Sequence, residues 1–217
     1  MWTSESLRSR VVLYELLARL HTYPLDEQIL GSVASLRLED SPPEIGQALD
    51  RMKAVLAAMG REAAEALNVE ATRLFEGPGK PVAPPYASYY LNGRLMGHPA
   101  IAANQFYLSK AALPEPEGGV PPDHVAVELG FMAYLARRME RSFAAAKTRE
   151  ALSALEASRE FIDEHLVTWL PRFDEDMVRG ADSGFFSGLA QFTQASLNWD
   201  RQWLETLEAE QLEGASE

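Results

Sequence analysis

Apolar residues recur along this chain at spacings of three and four, the period of a helix buried on one face. Leu13, Leu17 and Leu20 form the first such stripe, and Thr3 or Ser4 is placed to cap it. Tyr23-Pro24 ends that segment, because a proline disfavours helix in the residue before it. The pattern resumes over Leu25 to Leu38. Ser41-Pro42-Pro43-Glu44 then reads as a cap followed by helix-start prolines, opening a third helix through Met59. Arg61 to Phe75, rich in Ala and Glu, predicts a fourth.

Gly77-Pro78-Gly79-Lys80-Pro81 and Pro84-Pro85 break the chain. A short aromatic segment, Tyr86 to Leu91, follows, then a helix over Pro99 to Lys110. Residues 113–122 hold four prolines, two glycines and two glutamates with little apolar material. Beyond this joint, Val125, Leu129, Met132 and Met139 share one helical face with Ala136. A further helix is expected over Lys147 to Val167, followed by Trp169-Leu170-Pro171-Arg172-Phe173. The last opens at Asp182 or Ser183 and runs to about Leu212. Its end, from Gln202 on, has five glutamates and no Lys or Arg, a solvated face. No strand-like alternation of useful length occurs. The pattern predicts an all-α protein with short connections, one domain over 1–217. It divides into an N-terminal lobe (about 1–112), a Pro/Gly-rich hinge (113–122) and a C-terminal lobe (about 123–212).

Composition narrows the function. The chain has 217 residues, no cysteine and a formal net charge of −12. Disulfides, thiolate nucleophiles and iron–sulfur ligation are excluded. The acidic balance argues against nucleic acid and anionic membrane surfaces; it would attract a basic peptide, or it serves only to keep the protein soluble. No run approaches the roughly 18 apolar residues that span a bilayer, and Met1 to Arg10 lacks an apolar signal core. A cytoplasmic location is expected.

Pro122-Asp123-His124, opening a helix beside the joint, is the most polar and reactive-looking stretch. His124 and Glu128 lie four apart and can share a helix face, but no second ligand pair has metal spacing. Glu128 is expected to support His124 by a hydrogen bond or ion pair. Gly77-Pro78-Gly79-Lys80 is no phosphate loop: Leu74 stands where the first glycine belongs, and Pro81 follows the lysine. No Gly-x-Ser-x-Gly elbow is present. No catalytic residue, metal or cofactor is expected. Asp123 can serve as a helix N-cap, as a bidentate acceptor for arginine, or as both. Tyr86, Tyr89 and Tyr90 offer faces for cation–π contact, although at least one is expected in the core.

Three segments carry a resemblance. Glu70-Ala71-Thr72-Arg73-Leu74-Phe75-Glu76-Gly77-Pro78-Gly79, Ala83-Pro84-Pro85-Tyr86-Ala87-Ser88-Tyr89-Tyr90-Leu91 and Pro121-Pro122-Asp123-His124-Val125-Ala126-Val127-Glu128-Leu129-Gly130-Phe131-Met132 occur in the order and spacing of the TorD/DmsD family. Glu164-His165-Leu166, Trp169 to Phe173, Phe185-Phe186 and Leu189-Ala190 extend it over roughly residues 10 to 205. The resemblance implies a TorD-like helical bundle that binds and does not catalyse. It would be a cytoplasmic chaperone for a molybdenum-cofactor redox enzyme precursor, holding the twin-arginine leader and the body of the client until its cofactor is inserted and delaying export. It implies a peptide-binding surface at Leu74, Phe75, Pro85, Tyr86, Pro121, Asp123 and His124, to which Tyr90, for its aromatic face, and Glu128, beside His124, are added as candidates. It also implies a monomer able to form a domain-swapped dimer through the hinge. Ala71 stands where the family usually has an aromatic residue, which is expected to widen the groove or change which leader fits. Two other readings stay open: a helical adaptor for another protein region, and an enzyme using Asp123 and His124.

Overall fold

The computed structural model describes residues 3–77, 81–111 and 119–214, the last seven of these by backbone alone. All named elements within them are helical: α1 (Ser4–Leu20), α2 (Glu27–Ser35), α3 (Pro43–Met59), α4 (Ala63–Ala71), α5 (Ala87–Asn92), α6 (His98–Ser109), α7 (Val125–Ala144), α8 (Thr148–Phe161), α9 (Val167–Gly180) and α10 (Gly184–Gly214). The all-α architecture expected from the periodicity is therefore the one observed.

Each start has a local cause. Thr3 forms a capping box with Ser6 at the head of α1. Asp26 accepts from the Ile29 amide at 2.8 Å and starts α2 two residues later than the apolar pattern suggests. Pro43 opens α3, as its fixed φ favours. The fourth segment is less regular than expected. A 3₁₀ turn covers Gly60–Glu62, and after α4 a π-helical turn covers Thr72–Glu76.

α8 does not end before the Trp169–Phe173 run. A second π-turn, Ile162–Leu166, joins it directly to α9, which contains Pro171. Proline removes one backbone hydrogen bond there and costs about 3 kcal/mol in a helix interior. Trp169, Leu170, Phe173 and Met177 are all fully buried on the same stripe. At about 1.5–3 kcal/mol for each large apolar side chain, that burial outweighs the proline.

One apolar core runs through both halves of the sequence. α1 packs along α7, and α3 packs along α10. The α3–α10 contact is close because Gly188 has no side chain: a Cβ there would lie 2.8 Å from Met52 Cγ and 3.1 Å from the Ala48 carbonyl. α7 supplies the stripe Val125, Leu129, Met132, Ala136 and Met139, and also buries Phe131, whose ring meets Phe161 of α8 at 4.8 Å. Residues 113–118 of the expected hinge lie outside the described residues. A buried ion pair, Arg10 Nε to Asp200 Oδ1 at 2.7 Å, with Tyr14 donating to Oδ2 at 2.7 Å, ties α1 to α10.

Candidate functional site

The second and third motifs meet through their backbones. The Ala87 amide donates to the Asp123 carbonyl at 3.0 Å, and the Val125 amide to the Pro85 carbonyl at 3.0 Å. This pairs Tyr86 with His124 in an isolated antiparallel bridge. The two rings stand edge to face, 5.1 Å apart. Tyr107 of α6 holds the same corner by donating to the Pro122 carbonyl at 2.8 Å. The Pro121 carbonyl accepts from His124 N, closing the turn into α7.

Asp123 does not cap α7. Its side chain is fully buried, and Oδ2 accepts from the Ser88 amide at 2.8 Å, capping α5 instead. Its Oδ1 has no partner. The α7 cap is His124, whose Nδ1 accepts from the Ala126 amide at 3.1 Å. That bond leaves Nδ1 unprotonated. Burial, aided by repulsion from nearby His21, lowers His124 to about 4. His21 is itself buried and lowered to about 4 by desolvation, opposed by its Nδ1 contact with the Leu17 carbonyl.

Glu128 does not support His124. Its Oε2 accepts from Trp169 Nε1 at 2.9 Å, pinning α7 to α9. Burial pushes this carboxyl well above its ordinary range; the Trp169 bond opposes the shift and Asp123 adds to it.

Leu74 and Phe75 lie on the π-turn and are buried. Phe75 stacks on Tyr23 at 4.7 Å and meets Phe186 and Phe173 at 5.6 and 6.1 Å. Phe173 in turn lies 6.2 Å from Tyr90 and 5.7 Å from Trp169. Through these rings the first motif joins the second at Tyr90, and Trp169 extends the contact to Glu128 of the third. The polar residues of the first motif also bind across the fold. Glu70 Oε1 accepts from the Asp182 and Ser183 amides at 2.7 and 2.9 Å, capping the entry to α10. Arg73 donates to the Gly180 carbonyl at 2.6 Å and pairs with Asp182 at 2.7 Å. Ala71 is buried in the core.

Of the nine residues expected at a binding surface, Leu74, Phe75, Pro85, Asp123 and Glu128 are buried, whereas Tyr86, Tyr90, Pro121 and His124 are partly exposed. Tyr90 leads outward to a pocket of about 470 Å³ lined by Tyr89, Gly93, Arg172, Glu175, Asp176 and Arg179. Its hydroxyl reaches Asp176 at 3.4 Å, and Arg172 donates to its carbonyl at 2.9 Å. Burial and Asp176 raise the Tyr90 phenol. Leu91, Leu95, Met96 and Ile101 stand exposed on α5, α6 and the loop between them.

The acidic run Asp174-Glu175-Asp176 was not among the residues singled out in sequence. Its signal is positional: Asp174 falls between Leu170 and Met177 on an otherwise apolar stripe, where a carboxylate is out of place. Among the described residues no group of three His, Asp or Glu is arranged to hold a metal ion, and no helix is long and apolar enough to cross a membrane.

A family model described as the nitrate reductase delta subunit matches residues 38–175 of this chain. The chain is 28% identical over 210 residues to the chaperone protein TorD of Vibrio cholerae serotype O1, covering 95% of this chain and 90% of that protein. It is 27% identical over 206 residues to TorD of Aliivibrio fischeri, covering 94% and 92%. A crystal structure of a redox enzyme maturation protein from Archaeoglobus fulgidus matches with a TM-score of 0.52 and 26% identity, over 90% of this chain and 93% of that one. The resemblance carried by the three motifs thus extends over nearly the whole length.

Proposed function

We propose that this chain, which belongs to the nitrate reductase delta subunit family, is a cytoplasmic chaperone for the precursor of a molybdopterin-dependent oxidoreductase. It binds the twin-arginine leader and the body of that client, assists cofactor insertion and delays export until maturation is complete. The observation that carries this reading is the match to TorD chaperones over 95% of the chain. The fold supports a binding role. A net charge of −12 attracts a basic leader, and exposed Leu91, Leu95, Met96 and Ile101 offer apolar surface beside the Tyr90 pocket.

The partly exposed Tyr86, Tyr90, Pro121 and His124 contact the leader in this reading. The buried Leu74, Phe75, Pro85, Asp123 and Glu128 shape the floor beneath them. His124 rests neutral with Nδ1 engaged in the helix cap, so it offers Nε2 to a ligand rather than a positive charge.

Co-expression tests the proposal. The molybdopterin content of a candidate client should rise when this chain is present and fall back with Tyr86→Ala. Equal cofactor content with and without the chain favours the adaptor reading.

A further inference from the structure

Two carboxyl groups are enclosed where α5, α6, α7 and α9 meet. Asp123 and Glu128 are 0% and 1% exposed. Asp123 Oδ2 accepts from the Ser88 amide at 2.8 Å, and its Oδ1 has no partner. Glu128 Oε2 accepts from the Trp169 indole at 2.9 Å. Buried carboxylates ordinarily need a cation. Among the described residues none acts on Glu128: its neighbours are Trp169, a neutral donor, and Asp123, which opposes a second negative charge. Tyr107 of α6 lies near both carboxyls, with its hydroxyl proton committed to the Pro122 carbonyl. His124, one turn earlier on α7, is neutral with Nδ1 engaged at the Ala126 amide, and His21 at the end of α1 is neutral too. Two carboxyls close together in a dry site cannot both ionise freely, so one retains a proton.

We propose that Glu128 is a proton-operated latch on the Tyr86–His124 corner: a proton on its carboxyl keeps the corner closed, and loss of that proton loosens it. Glu128 is the group that retains the proton, because burial outweighs its indole bond and Asp123 adds repulsion. The corner is closed by backbone bonds that run through the same residues. The Ala87 amide donates to the Asp123 carbonyl and the Val125 amide to the Pro85 carbonyl, each at 3.0 Å. A second negative charge beside Asp123 is relieved by moving α5 off the head of α7 or by letting water between them, and either lengthens those bonds. The sign follows from linkage. The closed form binds the extra proton, so closure is complete at low pH and is lost as pH rises through the Glu128 titration. The disposition of Tyr86 and His124 then depends on pH, whatever that surface binds. The latch is read without a client, so it stands or falls apart from the proposed function.

The test is a pH titration of the full chain followed by nuclear magnetic resonance. The Trp169 indole N–H signal reports on Glu128 directly, and the Ala87 and Val125 amide signals report on the corner. The indole signal should titrate with a one-proton midpoint between about pH 6 and 9, the range of buried glutamates, and both amides should follow with the same midpoint. Glu128→Gln keeps an acceptor for the indole and cannot ionise; it should abolish the titration and hold both amides at their low-pH positions throughout. Asp123→Asn should lower the midpoint by about one pH unit by removing the like charge, and it decides the matter even if Glu128→Gln fails to fold. A midpoint in the ordinary glutamate range near about 4.3, or no titration up to pH 9, would overturn the proposal. So would an indole titration that leaves Ala87 and Val125 unmoved, or one that persists in Glu128→Gln.

Discussion

Asp123 holds one carboxylate oxygen on the Ser88 amide and leaves the other bare, in a fully buried position. Asp123→Ala should therefore lower stability by about 1–2 kcal/mol, the usual cost of a lost cap. Denaturant unfolding checks this, and an unchanged midpoint would contradict the capping role. Read from sequence, Asp123 caps the helix it precedes, accepts an arginine, or does both; the structure gives it a different helix to cap. The difference arises because the capped helix, α5, lies far from Asp123 along the chain, and local pattern cannot show which amide a side chain will reach. Glu128 teaches the same point, since its partner Trp169 sits on another helix.

His21 and His124 also make a prediction at this scale. Both are neutral in the fold down to about pH 4, whereas an unfolded histidine takes up a proton below about 6.5. Between these values the unfolded chain binds more protons, so their contribution is present above 6.5 and falls as pH drops. Each supplies at most about 1.4 kcal/mol per pH unit. Buried Glu128 and Asp174 work in the opposite sense: their folded carboxyls are raised, so their contribution is present at low pH and is lost as pH rises. His21→Asn should flatten the decline in stability between pH 6.5 and 4, and Asp174→Asn should steepen it. A His21→Asn profile parallel to wild type would contradict a neutral buried His21.

Helix ends in this protein are joined by residues from elsewhere in the chain. Glu70, at the end of α4, accepts two amides at the entry to α10, while Arg73 binds the last carbonyl of α9. Glu70→Ala should cost about 1–2 kcal/mol by freeing those amides. Gly180→Ala should cost about 1–3 kcal/mol by overpacking, because its Cβ would fall 2.4 Å from Val82 Cγ1 and 2.9 Å from Leu74 Cδ2. Thermal unfolding measures both, and wild-type melting in either variant would contradict this account of the α9–α10 corner. The elements themselves were largely legible. The stripe of α7 marked its buried face, Leu17 and Leu20 lie on the buried face of α1, and Pro43 marked the start of α3. The two π-turns were not, because each covers only five residues, too short a stretch for a change of helical period to show in the apolar pattern. Pro171 misled for a different reason: local propensity spoke for a break, and the burial of Trp169 and Phe173 overrode it.

At the scale of the whole molecule, the halves on either side of residues 113–122 share one core through α1 with α7 and α3 with α10. Exchange of halves between two chains would rebuild those contacts unchanged, which is the condition for domain swapping. A mainly monomeric protein with a slowly exchanging dimer is expected, and replacing Pro121 and Pro122 with Gly should change the ratio. Light scattering after size exclusion would contradict the swap by showing one species, unaffected by concentration, denaturant cycling or the substitution. The absence of cysteine excluded thiol chemistry from sequence, and the three motifs, rather than the charge, pointed to a binding protein. The groove beside Tyr90 did not emerge there, because its walls come from α5 and α9, far apart in the chain.

Calorimetric titration with a peptide carrying adjacent arginines ahead of an apolar stretch tests the central claim most directly. The account predicts saturable binding, weakened by Tyr86→Ala and by replacing the two arginines with lysines. Absence of binding, or equal affinity for the lysine peptide and for Tyr86→Ala, would contradict it.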